Sequence, residues 1–181
     1  PYIDTVKLAG VGDKTCTGLP SEFFAPLSKI RTLDLSESKL LHGNSRILSP
    51  LKNLNALYVN NLEPYKTCPS KIAEVFKNLP PNISKLIARG WRSEMPLNQS
   101  CMVTNSTFSL LRGTKLSYID FSESDWIVGE VFQKSIFDGF DSLRTLHLPW
   151  TRINSIEAEA LQNLPKLASL NLEGNQLGPR R

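Results

Sequence analysis

Apolar positions in this chain fall into one recurring string, LxxLxLxxN with substitutions, which occurs seven times. Its anchors are Ile3-Val6-Leu8, Ile30-Leu33-Leu35, Leu54-Leu57-Val59, Ile83-Leu86-Ala88, Leu116-Ile119-Phe121, Leu143-Leu146-Leu148 and Leu167-Leu170-Leu172. Successive strings start 27, 24, 29, 33, 27 and 24 residues apart, the period of a solenoid. The closing LxL predicts a short strand whose alternate side chains face opposite sides, the large apolar ones inward. One coil cannot bury such residues alone, so neighbours stack strand beside strand, seven of them spanning about 29 Å. The expected architecture is an α/β right-handed solenoid with a parallel sheet on its concave side and an irregular convex side. A single array over residues 1–181 accounts for all seven strings, with strands starting near 3, 30, 54, 83, 116, 143 and 167.

Beyond each strand, the ninth position of the string closes the bend. Asn175 holds it in the clearest instance, and an amide there can bond backbone groups from coil to coil. Ser38, Ser124 and Thr151 can do part of that work; Val11, Leu62 and Trp91 are expected not to, which predicts irregular turns where they stand. The return half of the coil carries phenylalanine just before the next lead-in, as in Leu19-Pro20-Ser21-Glu22-Phe23-Phe24-Ala25-Pro26-Leu27 and Ile136-Phe137-Asp138-Gly139-Phe140. Rings of that size fill the wide convex side, so Phe24 and Phe137 read as packing residues.

Composition narrows the classes. A hydrophobic share of 40% with 21% charged residues supports a folded core and excludes disordered and collagen-like chains. The net charge of +4 is dispersed, the longest basic cluster being Arg180-Arg181, so charge does not indicate a nucleic-acid binder. No apolar run has the length of a membrane span, and Pro1-Tyr2-Ile3-Asp4 lacks the features of a signal peptide. Three sequons, at Asn82, Asn98 and Asn105, favour the secretory route. Cys16, Cys68 and Cys101 show no metal-ligand spacing, and only His42 and His147 could join them, so neither metal nor cofactor is expected. Cys68 and Cys101 fall on loops of adjacent coils, where a disulfide could fasten the two longest insertions; Cys16 lies two coils from Cys68 and is expected to stay free or to pair outside the chain.

With these residues in view, the chain resembles the extracellular leucine-rich repeats of animal receptors, and most closely a segment of a Toll-like receptor ectodomain. The likeness rests on Leu19 to Ile30, on Leu33-Asp34-Leu35-Ser36, on Leu170-Asn171-Leu172 with Asn175, and on the unequal repeat lengths. It implies a horseshoe fold and recognition of a microbial or host-derived ligand or a protein partner, followed by receptor homo- or heterodimerisation. The implied location is the extracellular side of a single-pass membrane receptor, at the cell surface or in endosomes, with N-linked glycans. Cysteine-rich caps are missing, so the array is expected to be a fragment. The plant-type Gly-x-Ile-Pro signature is also missing. Two alternatives stand beside this one: an adhesive or matrix repeat protein, and an intracellular regulatory scaffold.

The middle outward positions of the strands are Lys7, Asp34, Tyr58, Ile87, Asp120, His147 and Asn171, with Tyr118 and Trp150 nearby. Aromatics beside charges compose interface hot spots, which selects Tyr58, Tyr118, Asp120, His147 and Trp150 as candidate binding residues. Catalysis finds little footing. Gly10-Val11-Gly12 is a lone GxG without a following helix pattern, and neither histidine is in step with the Ser-Glu-Ser strings at Ser36 and Ser122.

Overall fold

The computed structural model describes residues 3–11, 20, 22–38, 45–62, 72–91, 105–124 and 129–178. Among them, seven three-residue strands form one parallel sheet in chain order: β1 (Thr5–Lys7), β2 (Thr32–Asp34), β3 (Ala56–Tyr58), β4 (Lys85–Ile87), β5 (Tyr118–Asp120), β7 (Thr145–His147) and β9 (Ser169–Asn171). Their register is unbroken, with Val6, Leu33, Leu57, Leu86, Ile119, Leu146 and Leu170 side by side. From Leu33 to Leu146 these central residues are fully buried, while Val6 and Leu170, on the end coils, are partly covered. Burial of one such side chain contributes about 1.5–3 kcal/mol, so the central coils carry most of the apolar stabilisation.

The return halves hold α1 (Ile72–Lys77), α2 (Asn105–Ser109) and two 3-10 turns, Ala25–Leu27 and Ser45–Leu48. Phe24 and Phe137 are buried, as packing residues should be. Phe76 meets Phe121 at 6.5 Å between centroids, Phe121 meets Phe108 at 5.9 Å, and Phe108 meets Phe137 at 5.4 Å, a chain of rings running through three coils. The convex side is irregular, as expected, with one short ladder on it. Val131–Phe132 (β6) and Ser155–Ile156 (β8) pair in parallel on the return halves of the fifth and sixth coils, with Phe132 and Ile153 buried beneath them.

Each strand ends in the same backbone feature. The eighth residue of every string has a positive φ: Gly10 at 70°, Glu37 at 58°, Asn61 at 50°, Gly90 at 72°, Glu123 at 60°, Trp150 at 57° and Gly174 at 69°. This left-handed residue turns the chain out of the sheet. Glycine adopts it freely, whereas a side-chain-bearing residue costs on the order of 1–2 kcal/mol.

The ninth position behaves as expected at Asn175, Ser124, Thr151 and Ser38, and otherwise at Trp91. Asn175 Nδ2 donates to the Leu148 carbonyl of the preceding coil at 2.7 Å, and its Oδ1 accepts the backbone N–H of Thr151 and of Ile153. Ser124 Oγ donates to the Ala88 carbonyl at 3.2 Å, and Thr151 Oγ1 to its own Leu148 carbonyl at 2.8 Å. Trp91 corrects the sequence expectation. Its indole Nε1 donates to the Val59 carbonyl of the preceding coil at 2.7 Å, the bond an asparagine would make, while the ring is buried. The indole N–H is a donor with longer reach than an amide, so a tryptophan continues the ladder. At Leu62 the side chain packs into the core, and the Leu35 carbonyl of the coil before accepts from Ser38 Oγ at 2.6 Å instead.

Candidate binding face on the concave sheet

Outward side chains of the strands form two rows. The register aligns Lys7, Asp34, Tyr58, Ile87, Asp120, His147 and Asn171 in one, and Thr5, Thr32, Ala56, Lys85, Tyr118, Thr145 and Ser169 in the other. The first is the row read from the sequence.

Four of the five predicted binding residues gather at the centre of these rows. Asp120 sits at the bottom, its side chain 0% exposed although it faces outward. Arg89 covers it, Nε and Nη2 both reaching Oδ2, at 2.8 and 2.5 Å. Ser122 supplies the other oxygen with its backbone N–H at 3.0 Å and its hydroxyl at 2.5 Å. Burial by itself would raise the Asp120 carboxyl, but the hydrogen bonds from Arg89 and Ser122 outweigh it and hold the group below its ordinary value. The same bond to Asp120 holds Arg89 above the ordinary guanidinium value.

His147 Nδ1 lies 3.6 Å from Asp120 Oδ2 and 3.4 Å from the Tyr118 hydroxyl, with the Tyr118 and His147 rings edge to face at 5.4 Å. Both oxygens address one ring nitrogen. A nucleophile relay needs its hydroxyl and its carboxylate on opposite nitrogens of the imidazole, and Ser122 gives its hydroxyl to Asp120. This arrangement orients side chains; it does not assemble that relay. Next to it, Lys85 Nζ stands over the Tyr118 ring at 4.8 Å and the Tyr58 ring at 5.7 Å, joining Tyr58 to the group. Ile87 is 3% exposed beneath these side chains.

Trp150 is not part of the group. It occupies the left-handed turn after β7, 57% exposed, with its indole laid over Gly174 of the next coil, where any Cβ would collide with the ring. Asn61 lies over Gly90 in the same way.

The sequence reading missed Arg89, Lys85 and Ser122. Lys85 holds the third position of its string, as Tyr118 does; Arg89 and Ser122 hold the seventh. Carrying the strand alternation two residues further would have placed the seventh position on the outward face.

Of the sequons, Asn82 is exposed on the lead-in side of the sheet, Nδ2 donating to the Lys52 carbonyl at 3.2 Å and Oδ1 accepting from Lys115 Nζ at 3.1 Å. It borders a polar groove of about 750 Å³ lined also by Asp4, Lys29, Arg31, Asn53 and Asn55. Asn105 opens α2, with Thr107 of the same sequon buried. Asn98, His42, Cys16, Cys68 and Cys101 lie outside the described residues. Among the described residues no cluster of His, Cys, Asp and Glu has the form of a metal site, and no helix is long and apolar enough to cross a membrane.

Residues 130–177 match the leucine rich repeat family, the stretch that contains β6 to β9. The fold is a leucine-rich-repeat solenoid. Among solved structures, this solenoid is similar to internalin C2 of Listeria monocytogenes, at 22% identity and a TM-score of 0.50, over 86% of this chain and 57% of that one. It is similar to the receptor in a TLR13–ssRNA13 complex at 19% identity and a TM-score of 0.59, over 84% of this chain and 20% of that one. A third likeness is to the Toll–Spatzle complex of Drosophila, at 13% identity and a TM-score of 0.59, over 87% of this chain and 18% of that one. The leucine-rich-repeat chain thus spans less than two thirds of each of these proteins, and at such identities the likeness is one of fold. No curated protein sequence matches it.

Proposed function

We propose that this leucine-rich-repeat chain is a recognition segment of an extracellular, Toll-like receptor of innate immunity, binding a ligand or partner protein and pairing with a second receptor without chemical conversion. The observation that carries the reading is the central concave group: Tyr58, Lys85, Tyr118, His147, Asp120 and Arg89 are locked to one another across β3 to β7. Aromatic and charged side chains whose rotamers are fixed before binding lose little entropy on contact, the property of an interface anchor. Two of the similar solved structures are complexes, one with single-stranded RNA and one with the Spatzle protein, which fits a scaffold used for binding. The three sequons at Asn82, Asn98 and Asn105 support a secretory route.

Expressed through the secretory pathway of animal cells, the chain is expected to lose mass on enzymatic deglycosylation. Tyr58→Ala with Tyr118→Ala in the parent receptor is expected to abolish ligand-driven signalling while surface delivery continues. An unmodified chain with reduced cysteines would return the protein to the intracellular scaffold reading, and a parent without a signalling domain would return it to the matrix reading.

A further inference from the structure

The charges of the concave face are unequally spoken for. Arg89 is closed by two bonds to Asp120. Lys85 differs: among the described residues its ammonium contacts two tyrosine rings and no carboxylate. A ring face attracts a cation without neutralising it, so the charge stays available to an incoming anion. The position is also fixed. A free lysine gives up conformational entropy when it binds, whereas Lys85 is already held between Tyr58 and Tyr118. The surroundings add a second requirement, because the half-buried rings of Tyr58 and Tyr118, beside buried Ile87, offer apolar contact next to the charge.

We infer that Lys85 is the docking charge for an acidic peptide segment of a protein partner, its carboxylate accepting from Nζ and a neighbouring apolar side chain lying on the tyrosine rings. A nucleic acid fits less well. Its phosphates need a row of available cations, and here the next one, Arg89, is committed to a carboxylate that would repel them. The inference rests on the sheet being a recognition face and names what that face prefers.

The test uses a fluorescein-labelled peptide of alternating glutamate and leucine, its glutamine and lysine counterparts, and oligo(dT), each titrated into the chain and followed by anisotropy. The glutamate peptide is expected to bind best. Lys85→Met, which keeps the stem between the rings, should weaken it by about tenfold, Lys85→Arg should retain it, and Lys166→Ala, the same charge change on another surface, should leave it unchanged. Circular dichroism melting confirms that each variant is folded. Equal binding by Lys85→Met and wild type, equal binding of the glutamine peptide, absence of glutamate-peptide binding by the folded chain, or a preference for oligo(dT) would each overturn the inference. A glycosylated, signalling receptor indifferent to Lys85 would refute it while leaving the receptor reading in place.

Discussion

Leu33-Asp34-Leu35-Ser36-Glu37-Ser38 and Ile119-Asp120-Phe121-Ser122-Glu123-Ser124 are almost the same six residues, three coils apart. Their backbones agree. Asp34 Oδ1 accepts the Ser36 N–H at 2.9 Å and Asp120 Oδ1 the Ser122 N–H at 3.0 Å, while Glu37 and Glu123 turn the chain at φ 58° and 60°. Their surroundings do not agree. On the preceding coil, the seventh position is Ala9 beside the first segment and Arg89 beside the second; on the following coil, the fifth position is Tyr58 in one case and His147 in the other. Asp34 therefore stays half-buried as a turn cap, and Asp120 becomes the closed centre of a charged group. The repeat dictates the turn, and the neighbouring coils dictate what the turn's carboxylate does.

The largest expected effects are those that should not separate the two regions. Leu33→Ala and Ile119→Ala each remove a fully buried anchor and should each cost about 2–5 kcal/mol by urea unfolding. A cost confined to one of them would mean that the interior is not continuous between these coils. The aspartates should separate them. Asp120→Ala strands Arg89 and Ser122 and should cost about 1–3 kcal/mol, below the figure for a wholly buried pair because the Arg89 side chain is 53% exposed. Asp34→Ala loses a turn cap, about 0.5–1.5 kcal/mol. Equal losses would show that Arg89 adds nothing beyond the shared hydrogen bond.

Acid sharpens the contrast. Because the folded carboxyl of Asp120 is held below its ordinary value, its contribution is complete above the unfolded pKa of about 3.9 and is lost as pH falls through the lower folded value. The stability gap between wild type and Asp120→Asn should therefore be constant from neutrality to about pH 5 and shrink below pH 4, as followed by chemical unfolding at stepped pH. A gap that widened on acidification would reverse the sign of this assignment. The smallest effect is a transplant. Ala9→Arg gives Asp34 the partner that Asp120 has, and on this more exposed coil it should add no more than about 0.5 kcal/mol.

Much of this was legible in the chain because each strand encodes its own two faces. Period-two alternation named the row from Lys7 to Asn171, and the leucine spacing placed the interior. What stayed hidden was lateral. Arg89 and Asp120 are 31 residues apart, and nothing within either coil announces that they meet. Trp91 was expected to make no bond at the bend, yet its indole N–H is what continues the ladder to Val59. The shared left-handed eighth residue escaped notice since glycine, glutamate, asparagine and tryptophan have no common side-chain chemistry; the backbone imposes it. The short β6–β8 ladder likewise depends on two return halves running alongside each other, a matching that single repeats do not display.

The repeated left-handed turn has one more consequence. Because every coil leaves the sheet through the same bend at the same step, coils as different as 24 and 33 residues still present their strands in step. Such a chain can lengthen, shorten or decorate its outer loops over evolutionary time without moving a single side chain on the inner surface out of line.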